Sequence, residues 1–129
     1  MKLFLDDFRN PADCLTYMHQ RIGPKNPIYD EEWLIVRDYK EFVDAIKTLY
    51  KEITHVSFDH DLADEHYDPA MDDETRYSLV ASGFKEKTGY DCAMFMKQFY
   101  DEHNHVLPEI FVHSMNPVGT KRIKQVFNL

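Results

Sequence analysis

Four short apolar runs punctuate the chain: KLFL at 2 to 5, WLIV at 33 to 36, HVSF at 55 to 58 and EIFVH at 109 to 113. Each is a continuous block rather than an alternation, as expected of parallel strands covered on both faces. Between them the spacing turns helical. Phe42, Val43, Ile46, Leu49, Tyr50 and Ile53 fall on one helix face, and Cys92, Ala93, Met96, Phe99 and Tyr100 on another. The pattern predicts strand, crossover, strand, helix, strand, helix, strand, helix, which is an open three-layer α/β sheet with right-handed crossovers. Pro11, Gly23, Pro24 and Pro27 interrupt the first crossover. They leave room for one short helix, Ala12 to Arg21, with a loop behind it.

Length and composition fit one globular domain over residues 1–129. A chain of 129 residues with 43% hydrophobic and 14% aromatic content buries roughly two thirds of its unfolded surface. The start, MKLFLDDF, reaches an acidic pair too soon to be a secretory signal or a membrane span, so a cytoplasmic location is expected. Cys14 and Cys92 stand in no ligand pattern and are expected to be buried thiols. Trp33, at the start of an apolar run, is expected in the core.

A net charge of −8 argues against an extended nucleic-acid surface, which needs many cations to neutralise phosphates. The charge is uneven, however. Residues 64 to 74 carry six acids and no base, and the surrounding stretch, about 63 to 87, reads as an acidic insertion. After Glu109 no acid follows, while Lys121, Arg122 and Lys124 do. That cationic end suits one small anion.

Parallel strands end at one edge, where ligands of such folds bind. The residues following the runs are Asp6 and Asp7, Arg37 and Asp38, then Asp59, His60 and Asp61, then His113 and Ser114. Aspartates also terminate strands and cap turns, and for any one of them that explanation suffices. Several together repel one another unless protons or cations intervene, and an all-oxygen set suits a hard divalent ion such as Mg²⁺ or Mn²⁺. Asp6, Asp7, Asp59 and Asp61 are the candidate ligands. Arg9, in the loop after the first strand, is a candidate for a charge-assisted phosphate contact.

The stretch HSMNPVGTKR places Asn116 as an N-cap, Pro117 at the first helical position and Gly119 where backbone is closely approached. Taken alone the motif only starts a helix; beside His113, Ser114 and the following cations it also suits a phosphate. His60 and His113 could exchange protons with such a group, or either could be a structural histidine. His19, His55, His66, His103 and His105 lie outside the convergent set. Thr88 and Asp91 have capping-box spacing, and the alternative is that Tyr90 or Asp91 faces the site.

LDDFRNP (5 to 11), SFDHDL (57 to 62), TGYDCAMFM (88 to 96) and VHSMNPVGTKRI (112 to 123), in this order, resemble the cyclic-phosphate-processing receiver-like family. The resemblance implies a flavodoxin-like sheet of four strands in the order 2-1-3-4, a derivative of the response-regulator receiver lacking its fifth strand and the lysine there. It also implies action on cyclic phosphates of nucleotides or RNA ends. Asp6 and Asp7 match the receivers' acidic pair, Asp59 lies near their phospho-acceptor position and Ser114 matches their hydroxyl.

The expectation is therefore a phosphoesterase-like protein. His60, His113 and Asp59 would be catalytic, Asp6, Asp7, Asp59 and Asp61 would hold a divalent cation, and Arg9, Ser114, Asn116 and Gly119 would bind phosphate. The partner would be a small phosphorylated ligand or an RNA end. Two alternatives remain: a binding module without turnover, and a degenerate receiver acting through protein contacts.

Overall fold

The computed structural model describes residues 1–62 and 87–129; most of the acidic insertion, with His66, lies outside them. Strands β1 (Lys2–Leu5), β2 (Leu34–Val36), β3 (His55–Phe58) and β4 (Glu109–Val112) form one parallel sheet in the order β2-β1-β3-β4. The expected 2-1-3-4 order is observed. Three helices cover one face: α2 (Tyr39–Leu49), α3 (Gly89–Glu102) and α4 (Pro117–Val126). The other face is covered by two 3-10 turns, Pro11–Leu15 and Pro27–Asp30, and the single-turn helix α1 (His19–Ile22).

The helix expected over Ala12 to Arg21 is therefore broken in two. Thr16 leaves helical geometry, at φ −113° and ψ −114°, with its amide and its hydroxyl both donating to the Asp13 carbonyl. A side chain that satisfies the turn locally competes with continuing the helix. Helix α2 likewise stops at Leu49, although Ile53 still reaches the core.

The three long helices begin on side-chain caps, each satisfying an otherwise orphaned amide. Asp38 accepts from the Glu41 amide at 2.8 Å and Asn116 from the Gly119 amide at 3.0 Å. Thr88 and Asp91 form the reciprocal capping box expected of their spacing.

Each strand sends alternate side chains to opposite faces. In β1, Leu3 and Leu5 enter the core under the helices with Val56, Phe58, Phe42, Ile46 and Met96. Phe4 points the other way, into a smaller core with Cys14, Met18, Tyr29 and Trp33. Both cysteines are buried and unpaired with each other. Among the described residues, no helix is long and apolar enough to cross a membrane.

Candidate functional site

Register brings the site together. Leu5 pairs with Phe58 and Phe58 with Val112, so the next residues, Asp6, Asp59 and His113, stand level just beyond the strand ends. The ladder continues through them, because the Asp59 amide donates to Leu5 O and the His113 amide to Phe58 O, each at 2.9 Å. Alternation then puts all three on the face of Phe4 and Ser57. All three are buried.

Asp6, Asp7 and Asp59 each offer a carboxylate oxygen within 4.8 Å of the others'. Three acids so close could hold a metal ion. Among the described residues Oδ1 of Asp7 is buried without a hydrogen-bond partner, an acceptor that a cation would satisfy. The donor set is all oxygen, which fits Mg²⁺ or Mn²⁺. Burial, followed by the charge of Asp6, pushes Asp7 up to about 6. The same two causes push Asp59 up to about 8, with Asp61 adding to the repulsion.

Asp6 behaves differently. Burial acts to raise its pKa, but the hydrogen bond and charge of His113, with the Arg9 and Phe8 amides, hold it below the ordinary value. Those amides donate to Oδ1 at 2.9 and 3.1 Å. His113 Nε2 meets Oδ2 at 3.1 Å, and its Nδ1 lies 2.7 Å from Ser57 Oγ, itself 2.8 Å from the Tyr29 hydroxyl. Burial lowers the pKa of His113. For this coupled pair we take an ionised Asp6 and a neutral imidazole, with the proton on Nε2. Tyr29 then donates to Ser57, Ser57 to His113 and His113 to Asp6, and every polar atom of the relay is used.

His113 is thus enclosed, stacked on Phe4 at 4.2 Å with rings 10° apart. Both ring nitrogens are engaged, and neither is open to a substrate. The geometry suits holding Asp6 in place rather than the direct proton exchange expected from sequence.

His60 is the more accessible imidazole. Its Nδ1 lies 2.9 Å from Asp61 Oδ1, and Asp61 Oδ2 accepts from Asn116 Nδ2 at 3.3 Å. Asp61 is therefore occupied with orienting His60 and stands outside the close acidic group. Gly119, expected to open the backbone to a phosphate, instead makes room for His60: a Cβ there would lie 2.3 Å from the ring's Cγ. Its amide is taken by the Asn116 cap. Gly89 is just as tightly placed, its amide donating to His60 O at 2.7 Å and its Cα facing the Asp59 carbonyl.

Ser114 Oγ accepts from the Asn116 amide at 3.1 Å. Asp91 is held by its capping box, and Tyr90 lies under the guanidinium of Arg122, 4.6 Å from the ring centroid. Arg37, which the sequence marked only as the end of β2, clamps the loop after β1. Its Nη1 donates to Asp6 O at 3.2 Å and to Arg9 O at 2.6 Å, and its Nη2 to Asn10 Oδ1 at 2.8 Å. Tyr29 and Ser57 were not anticipated as site residues. The one hint was a serine inside the apolar run HVSF.

A four-stranded parallel sheet in this order, with acids gathered at its carboxyl edge, defines a receiver-like domain. Residues 1–128 match the family described as the cyclic-phosphate processing receiver domain, and the chain belongs to that family. No curated protein and no solved structure matches it.

Proposed function

We propose that the carboxyl edge binds a divalent cation and a cyclic phosphate ester, on a nucleotide or an RNA end, and opens the ring by hydrolysis. The observation that carries this reading is the buried Oδ1 of Asp7, without a hydrogen-bond partner among the described residues, within the group of Asp6, Asp7 and Asp59. These three residues would hold the cation, which when bound withdraws charge from the phosphoryl oxygens.

His60 is the proton acceptor in this reading. With Nδ1–H directed at Asp61, its Nε2 carries the lone pair that takes a proton from the attacking water. Asp61 and Asn116 fix the ring, and Gly119 admits it. The new P–O bond forms as the ring P–O bond breaks on the opposite side, and the departing alkoxide is protonated from solvent. His113 keeps Asp6 ionised and oriented from behind.

The enclosure of His113 also favours a second reading, a module that binds a cyclic phosphate without turning it over. Hydrolysis of 2′,3′-cyclic nucleotides in the presence of Mg²⁺ or Mn²⁺ separates the two. The hydrolytic reading expects turnover that His60→Ala abolishes while ligand binding persists. Turnover unchanged by His60→Ala would remove His60 from the mechanism, and binding with no product from the unaltered protein would favour the binding module.

A further inference from the structure

Phe8 and Tyr17 are 58% and 53% exposed, and both meet the guanidinium of Arg9, Phe8 through its ring face and Tyr17 through its hydroxyl. Its Cζ lies 4.5 Å from the Phe8 ring centroid, and its Nε donates to the Tyr17 hydroxyl at 3.2 Å. Single exposed rings are ordinary on a protein surface. Here an exposed ring and an exposed tyrosine are tied to one guanidinium whose charge reaches the buried acidic group.

The main chain beneath them is fixed. Asp6 Oδ1 accepts the Phe8 and Arg9 amides, and Arg37 holds the Arg9 carbonyl. Arg9 also links these rings to the site. Burial is the main influence on Asp7, Asp59 and His113, but the Arg9 charge acts on all three, favouring the two carboxylates and disfavouring a proton on the imidazole.

Exposed aromatic rings and guanidinium planes are surfaces on which nucleobases stack, with little regard to sequence. A base-free polyol phosphate gains nothing from them. Resting on the cyclic-phosphate reading above, we propose that Phe8, Arg9 and Tyr17 form a stacking platform for the base of a nucleotidyl cyclic phosphate, and that Phe8 and Tyr17 determine the preference for base-bearing substrates. The shared chemistry is a nucleobase attached to a cyclic phosphate, whether on a free nucleotide or an RNA end.

The test is calorimetric titration with Mg²⁺ present, on proteins that all carry His60→Ala so that no probe is hydrolysed during the measurement. The probes are 2′,3′-cyclic AMP, glycerol 1,2-cyclic phosphate, which lacks a base, and the trinucleotide ApApA ending in a 2′,3′-cyclic phosphate. With Phe8 and Tyr17 in place, 2′,3′-cyclic AMP binds about tenfold more tightly than the glycerol compound. The Phe8→Ala/Tyr17→Ala protein loses that preference while binding the glycerol compound and Mg²⁺ as before, and Phe8→Trp keeps it. Tighter binding of the trinucleotide than of 2′,3′-cyclic AMP identifies an RNA end as the source of the base; equal binding identifies a free nucleotide, and both support the platform. Equal affinity for base-bearing and base-free probes, or a preference that survives the double substitution, overturns the platform and leaves the phosphate reading standing. Failure to bind any of the three probes removes the phosphate reading and the platform with it.

Discussion

Gly119 lies so close beneath His60 that an added Cβ would sit 2.3 Å from the ring's Cγ and 2.7 Å from its own Cβ. The obstruction is at the root of the histidine side chain, where no rotation relieves it. Alanine is the better helix former by about 1 kcal/mol, so Gly119→Ala sets a small gain in helix propensity against a forced displacement of His60. The expected outcome is a change in melting temperature of only a few degrees together with at least a tenfold loss of turnover. Turnover equal to that of the unaltered protein would show that the position of His60 is immaterial to the reaction.

The relay behind the acids predicts coupled losses of stability. His113→Ala leaves Asp6 buried without its imidazole partner and opens a cavity against Phe4, a loss of about 3 kcal/mol in urea unfolding. Asp6→Asn removes the charge that the imidazole supports, so in the His113→Ala background it costs less than it does alone. Strict additivity of the two substitutions would mean that the 3.1 Å contact between them contributes nothing.

Much of this arrangement is readable before any coordinates, because the ends of apolar runs mark strand ends and strand ends of a parallel sheet share an edge. Asp6, Asp59 and His113 follow directly from that rule. The burial of His113 does not. It depends on Tyr29, which sits in a 3-10 turn of a proline-interrupted segment that reads as loop, and on Ser57, whose neighbours in sequence are apolar but whose neighbours in space are polar. Alternation assigns Ser57 to a face without saying what covers that face. Gly119 is a similar case: sequence signals a close approach there, but not that the approaching group is His60.

Arg37 offers a test of the loop that carries Asp6, Asp7 and Arg9. Its guanidinium reaches three acceptors with two nitrogens, a fork that a lysine ammonium does not reproduce. Arg37→Lys keeps the charge and loses the fork. Outer partners of metal ligands typically contribute about 10- to 100-fold in affinity, so the Mn²⁺ dissociation constant, followed by electron paramagnetic resonance, should rise by about tenfold. An unchanged constant would mean that the loop holds its shape without the clamp.

The acidic group also fixes how stability and cation binding vary with pH. Without a cation, Asp7 sits at about 6 and Asp59 at about 8, both above the ordinary 3.8. The folded protein therefore holds these protons more tightly than the unfolded chain does. The stability they contribute is fully present below that ordinary value and is lost as pH rises through about 6 and then about 8. His113, whose pKa burial lowers from 6.5, acts in the opposite sense and gains stability as pH rises toward that value, so the net decline in melting temperature of the cation-free protein is expected between about pH 6.5 and pH 8, levelling off above. A divalent cation requires the ionised carboxylates, so its binding releases protons and tightens over the same interval. Saturating Mg²⁺ should raise the melting temperature little near pH 5 and several degrees near pH 9. Asp59→Asn removes the titration near 8 and a ligand together, flattening the upper part of the cation-free profile and abolishing the Mg²⁺ shift. A Mg²⁺ shift of the same size at every pH, or one that survives Asp59→Asn, would place cation binding away from these carboxylates.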